Sequence, residues 1–560
     1  MLFSEVSLYE LRLKSGGVLL FACIALISCG DPAPKFQAQR VSNPTAGLQT
    51  PFVDGLVPGG DRENSYAWCM DVLPDPADPS SEGWLYVGTG RDLILAFAMA
   101  AGVSQEQIQP VFKEDLPEAT DGRARMYRWK LDGTGDFEEV FRASNLSGAL
   151  EKLPKEIGFR GCMTYETPDG PALFAVTVEP LGLSPARMLK FEPGAAPDAQ
   201  PKEVFRVAPW ESGTRNSLRP LAVYDGRLLV ATQTNELFAS ENPPEQPEGS
   251  DASTEGWSKI ADDSDFGGLF ESSGFSLWQM VEFNGWLYVI LGNPDPVAEK
   301  ANQGFHMFKG RLAPDAPNAS AETGWEWVPI VGSGGKLPAG LGVPAFKAAS
   351  LAVFKDQVYV GTLTDMLGPW VSGGLNSLTM NMRPPQIYRF DASDQWQLLV
   401  GDPDDIFLYR RSDHRAGFYT ATDQQIVMPS RYQRANYSLN QYVWWMEVWD
   451  GRLFASTFDI KVFLRYLNDS SLQLLGVTQQ QYRADIVEAV SLLPMVNQNP
   501  EGFDLWTTDD GLTWWPVTVD GFGSPHNYGG RTLKATSQGL FVGTANPFYG
   551  AQLWRVNNVD

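Results

Sequence analysis

The sequence predicts an all-β fold, a seven-bladed β-propeller of four-stranded antiparallel blades, from three observations. One phrase recurs seven times, at 83–89, 172–177, 226–232, 285–291, 357–362, 451–457 and 539–544: a turn, then a strand of alternating large and small residues that closes in Gly-Thr or a near equivalent. A period this long marks a propeller or a solenoid. Most copies are preceded by another strand across a tight turn, such as Asp225-Gly226, Asn284-Gly285 and Asp450-Gly451, which is the signature of a two-residue hairpin. Most are followed by a third strand of aromatic and basic alternation, as at 125–131, 385–390 and 551–556, and then by a fourth, as at 137–142, 202–207 and 396–400.

Residues 1–28 carry Arg12 and Lys14 ahead of an uncharged run from Ser15 to Ser28, the order of a secretory signal peptide. The run is shorter than the roughly 20 residues a membrane-spanning helix requires. Leu26-Ile27-Ser28-Cys29 resembles the bacterial lipobox. The resemblance implies that Cys29 is acylated and becomes the mature N-terminus of a lipoprotein tethered to the cell envelope, with the outer membrane favoured because Gly30, not Asp, follows it. Residues 29–62 read as a polar, Pro-rich tether and a closing strand, because the last blade runs out of chain after 551–556 and a segment between Phe36 and Val57 is free to supply its missing strand. Residues 63–560 then form a single propeller domain. Its blades are spaced by roughly 55 to 95 residues where about 40 to 50 suffice, so the excess is assigned to insertions at 91–124, 364–384, 401–440 and 458–502 on one face. Two insertions carry helix signals: Ser104 with Gln107, and Thr478 with Gln481 ahead of Tyr482, Ile486, Val490 and Leu493.

The chain carries 43 basic and 67 acidic residues, a formal charge of −24, and removal of residues 1–28 takes away two of each. A surface this acidic repels phosphate backbones and argues against a nucleic-acid partner. Apart from Cys29, the mature thiols are Cys69 and Cys162, in the matching phrases Cys-Met-Asp-Val and Cys-Met-Thr-Tyr of adjacent first strands. An oxidising envelope permits a disulfide between them, but equivalent strands of neighbouring blades can also stand too far apart for one, so the pairing stays open. No metal-type cysteine or histidine spacing, phosphate-binding loop or nucleophile elbow occurs, so no cofactor is implied. His306, in a third strand, reads as a structural histidine.

One motif is specific. Thr507-x-Asp509-x-Gly511-x-Thr513-Trp514 resembles the Asp-box of sialidases and related propellers. The resemblance implies a structural turn between third and fourth strands, held by carboxylate and hydroxyl groups, with the Trp packed between sheets.

In a propeller the residues before each first strand and after each second strand share one face, the usual ligand face. Arg160, Arg219 and Arg531 fall before or at the start of first strands, and Asp365, Asp459 and Asn546 after second strands. His526, Asn527 and Tyr528 precede Arg531 in an unusually polar and aromatic stretch. The site is therefore expected at the mouth of the last blade. Three arginines around the propeller mouth are similar to the sialidase carboxylate clamp, yet the partner acid and nucleophile have no placement in the sequence, and Tyr528 would serve only by position. The leading expectation is a binding module for a glycan, a small anionic ligand or an envelope protein. The alternative is an Asp-box glycoside hydrolase or lyase acting on acidic sugars.

Overall fold

A computed structural model describes residues 34–42, 62–91, 106, 109, 121–133, 136–179, 182–197, 199–209, 216–249, 251–292, 304–317, 319–344, 346–364, 385–400, 440–460, 462 and 502–559. Cys29, Asp365, both helix signals and nearly all of the four assigned insertions lie outside them.

The described chain is an all-β, antiparallel fold of propeller type. After β1 (Phe36–Arg40), strands pair in chain order into up-and-down sheets. The first sheet is β2 (Asn64–Leu73), β3 (Trp84–Arg91), β4 (Arg125–Lys130) and β5 (Glu138–Arg142). The second is β6 (Gly158–Thr167), β7 (Gly170–Glu179), β8 (Ala186–Phe191) and β9 (Lys202–Val207). The third runs through β10 (Asn216–Tyr224), β11 (Arg227–Thr232), β12 (Leu237–Ser240) and β13 (Ser258–Ala261). The fourth holds β14 (Ser276–Phe283), β15 (Trp286–Gly292), β16 (His306–Leu312) and β17 (Trp325–Val331). The fifth holds β18 (Phe346–Phe354), β19 (Gln357–Thr364), β20 (Ile387–Phe390) and β21 (Trp396–Val400). The sixth is β22 (Asn440–Trp449), β23 (Arg452–Asp459), β24 (Leu505–Thr508) and β25 (Trp515–Thr518). The last is β26 (Gly529–Thr536), β27 (Gly539–Ala545) and β28 (Leu553–Asn558), with β1 antiparallel to β28 from Phe36 opposite Asn558 to Arg40 opposite Trp554.

The hairpins form because their central residues tolerate positive φ: Asp225 and Gly226 stand at 49° and 69°, Asp450 and Gly451 at 48° and 68°. That twist matches the right-handed twist of the flanking strands. First strands of successive sheets lie against one another, and β26 lies against β2. Alternation along each strand sends one apolar row to each neighbouring sheet, so the core is divided into clusters at the seams. Leu73, Tyr86 and Met126 meet Phe159, Leu173 and Phe191 between the first and second sheets. Met70, Val87 and Trp129 meet Phe541 and Leu553 between the first and the last. Each fully buried Leu or Phe contributes roughly 1.5–3 kcal/mol.

Cys69 and Cys162 are bonded across the first seam, with Cα atoms 5.6 Å apart. Trp514 is fully buried in the seam between the fifth and sixth sheets, beside Trp506, Tyr359 and Val443. The turn it follows differs from the expected one in register. Asp510, not Asp509, holds it: one Asp510 oxygen accepts from the backbone N–H of Leu512 and Thr513, both at 2.7 Å, and Thr508 Oγ1 accepts from Gly511 N at 2.8 Å. A carboxylate reaches the N–H groups two and three residues ahead, which fixes the holding position at 510. Asp509 turns outward to Arg452 at 3.2 Å, and Thr507 donates to Leu453 O in β23 at 3.1 Å.

Candidate functional site

The candidate site is the wall that the first strands present to one another. Each pairing of a first with a second strand slips register near its start, across Ala67/Cys69, Phe159/Gly161, Leu218/Leu221, Leu277/Gln279, Phe346/Ala348, Val443/Trp445 and Gly530/Thr532; the first and sixth slip a second time, at Asn64/Tyr66 and Asn440/Tyr442. A bulge leaves one residue unpaired and re-aims its side chain. The residues set free in this way are Trp68, Arg160, Arg219 with Pro220, Trp278, Lys347, Trp444 and Arg531. Each of these seven slips thus carries a cation or a tryptophan. Four of the seven are cations, in a chain of formal charge −24.

Cations and rings are paired across seams. The Arg219 guanidinium lies 3.3 Å from the centroid of Trp278, Arg531 lies 5.1 Å from Trp444, and Arg160 lies 5.5 Å from Trp68. Such contacts are worth about 0.5–2 kcal/mol according to desolvation. Two of the pairs share a local design. A Cβ on Gly158 would come within 2.4 Å of the Trp68 ring, and a Cβ on Gly529 within 2.1 Å of the Trp444 ring. In both cases a Gly-x-Arg stretch opens a first strand, its glycine making room for the tryptophan of the preceding sheet and its arginine covering that ring.

The surroundings of the two arginines differ. Arg160 donates from Nη1 to Ser217 Oγ at 3.1 Å. Arg531 is 4% exposed, and among the described residues no oxygen accepts from it; its buried Nε has no hydrogen-bond partner. Burial lowers its pKa to about 10, opposed only by the nearby Tyr66 phenol, and burial pushes Tyr66 up in turn. Around this guanidinium stands a box of rings. Tyr66 meets Trp444 edge-on at 6.0 Å and Tyr528 at 5.9 Å, Phe458 meets Tyr528 at 5.0 Å, and Tyr442 stacks on Phe458 at 4.6 Å.

Of the residues expected at the mouth, Arg160, Arg219 and Arg531 share the bulge position, and Tyr528 joins the aromatic box at 1% exposure. The others belong to the scaffold. Asn527 donates to Gly521 O at 3.0 Å and Gln552 Oε1 at 2.7 Å, and accepts from Thr544 Oγ1 at 3.3 Å and Asn546 Nδ2 at 3.1 Å. An amide has two donors and two lone pairs, so nothing is left for a ligand. Asn546 holds the turn before β28, accepting from Phe548 N and Tyr549 N at 3.3 and 3.0 Å. His526 packs on that turn, 5.5 Å from the Phe548 ring and 4.9 Å from Tyr549. Asp459 is buried and accepts from Gly502 N at 3.3 Å. These residues were placed at a ligand site because polar side chains at strand ends look alike in sequence whether they bind a ligand or tie down a loop.

Trp68, Trp278, Lys347, Trp444 and Tyr66 escaped the sequence reading. Their signal is an apolar residue followed at once by Trp, Arg or Lys at the head of a first strand, a break in alternation repeated in every sheet. Among the described residues, no group of three or more His, Cys, Asp or Glu side chains is placed to hold a metal ion, and no helix is long and apolar enough to cross a membrane.

No protein-family model matches this chain, and no curated protein does. Among solved structures it is similar to YCF48 from Cyanidioschyzon merolae, with 10% identity, a TM-score of 0.40 and coverage of 88% of this chain and 96% of that one. It is also similar to YCF48 bound to D1 peptide, at 10% identity, TM-score 0.37, and 94% and 99% coverage. A third likeness is to the N-terminal domain of Nup159, at 9% identity, TM-score 0.36, and 94% and 97% coverage.

Proposed function

We propose that the chain is a seven-bladed propeller, closed by its N-terminal strand and lipid-anchored through Cys29 at a bacterial cell envelope, whose axial mouth binds an anionic ligand or the anionic part of an envelope partner. The observation that carries this reading is the ring of bulge residues, four cations and three tryptophans, set into an otherwise acidic chain. Cations gathered at one level raise the local concentration of anions and fix their orientation. The pairing of β1 with β28 and the packing of β26 on β2 support the closed ring. Binding is preferred to turnover because the side chains nearest Arg531 are aromatic rings, and the one hydroxyl offered as a nucleophile, on Tyr528, belongs to a residue sealed at 1% exposure.

The test uses the mature, folded chain against a panel of acidic oligosaccharides, small mono- and dianions, and envelope proteins recovered by crosslinking. The parent should retain an anionic ligand that a double variant, Arg219→Ala with Lys347→Ala, retains at least tenfold less well. Equal retention by both proteins, or cleavage of a bound saccharide, would reject the reading. The anchor is tested separately: Cys29→Ala should release the protein from membranes and abolish labelling by a fatty-acid probe.

A further inference from the structure

The cations of the bulge ring are not equivalent, and the difference defines a ligand. Taking the axial mouth as an anion site, as proposed above, we infer that Arg531 is its anchor and that it receives a single carboxylate carried on an apolar frame.

A guanidinium taken out of water without a counter-ion costs several kcal/mol, so natural chains place one in such a position only where something compensates it. The cation–π contact with Trp444 at 5.1 Å compensates part. The rest is unmet, since Nε is buried without an acceptor. The same strand treats its other cation differently. Lys534, three residues on, meets Asp71 Oδ1 at 2.6 Å. Along β26, then, Lys534 is paired and Arg531 is not.

The chemistry of the walls narrows the class. One planar guanidinium matches one carboxylate through two parallel N–H···O bonds. A dianion would bring a second charge into a box of rings with nothing to meet it. A polyhydroxylated acid would need amide or carboxylate partners for its hydroxyls, and Asn527 and Asn546 are committed to the loops. Tyr66, Tyr442, Trp444 and Phe458, packed over the sealed Tyr528, instead offer ring surface. Tyr66 and Trp444 are only half-buried, so a ligand enters between them. A free aromatic acid and the C-terminus of a peptide ending in an aromatic residue both have this chemistry.

Calorimetric titration of the mature chain tests the assignment with four probes: 2-naphthoate, an acetylated dipeptide ending in Phe with a free carboxylate, D-galacturonate and inorganic phosphate. The amides of the first two serve as controls. Naphthoate or the peptide should bind one to one, its amide should not bind, and Arg531→Gln should weaken the carboxylate at least tenfold. Arg531→Lys, which keeps the charge and loses the fork, should fall between. Which of the first two probes binds more tightly identifies the source of the carboxylate. Galacturonate or phosphate binding through Arg531 with both apolar carboxylates silent would overturn the apolar frame and leave the anion-binding mouth standing. Carboxylate binding indifferent to Arg531→Gln would overturn the anchor alone. No binding of any probe by the parent would overturn the inference and the mouth together.

Discussion

At the seam between the first two sheets, Trp68 fills the space left by Gly158 and lies under Arg160; at the seam between the last two, Trp444 fills the space left by Gly529 and lies under Arg531. The backbone device is the same: a bulge on each first strand, with a Gly-x-Arg start on the second of the pair. The first seam is then locked. Cys69, next to Trp68, is bonded to Cys162, two residues after Arg160, and Arg160 donates to Ser217. At the last seam, Trp445 and Leu533 occupy the positions of the two cysteines, and Arg531 has no acceptor. One arrangement, used twice, thus serves as a staple where it is crosslinked and its arginine has an acceptor, and as a receptor where its arginine has none. A buried group that the fold leaves unpaired is a cost in the free protein and a source of affinity when a partner supplies the missing interaction.

The contrast can be broken most severely by removing the staple. Cys69→Ser opens a crosslink between residues 93 apart in sequence and should destabilise the protein by about 4.6 kcal/mol, the chain-entropy value for a loop of that size, read as a lower denaturation midpoint. Carboxylate binding at the last seam should survive it in the fraction that stays folded. Loss of binding at a denaturant concentration where the variant is fully folded would show that the seams are coupled.

Acid gives the next largest effect and acts at neither seam. His306 of β16 is buried edge-on against Phe275 at 5.2 Å, and burial lowers its pKa to about 4. The fold therefore favours the neutral ring. Its stability is intact above the unfolded pKa near 6.5 and is lost as pH falls from there toward 4, a total of about 3 kcal/mol. His306→Gln should flatten that part of the pH–stability curve. The arginine and cysteine variants should keep it, and a slope that follows Arg531 instead would contradict the assignment.

Opposite signs are expected for the two arginines, and this sharpens the comparison most directly. Arg531→Met removes an uncompensated buried charge and should stabilise the ligand-free protein by about 2 kcal/mol. Arg160→Met removes a cation with a hydrogen-bond acceptor and should destabilise it by about 1 kcal/mol. Thermal melts of both variants at pH 7 decide the matter, and destabilisation by both would mean that Arg531 is as structural as Arg160. The smallest change is Ser217→Ala, expected to cost under about 1 kcal/mol and to leave carboxylate binding unaltered.

The sequence by itself determined the strands and their grouping, because those depend on neighbours along the chain. Alternation of period two set the faces, Asp-Gly and Asn-Gly pairs set the hairpins, and the shortage of chain after Val556 called for a strand from the N-terminus, which β1 supplies. The turn at 509–514 was legible as a side-chain-held turn but not to the residue, since whether Asp509 or Asp510 faces the N–H groups depends on where β24 leaves its ladder. The three arginines were legible as a class because the repeat aligned them. Asn527 and Asn546 are committed to the loops, and nothing in a sequence tells a satisfied amide from an available one. Only the tertiary structure decided that Cys69 meets Cys162, that one register slip in each first strand carries a cation or a tryptophan, and that Arg160 finds an acceptor in Ser217 where Arg531 finds none among the described residues. Pairing is a property of all the atoms that reach a group from other sheets, and for Arg531 those atoms come from residues as distant along the chain as Tyr66 and Trp444.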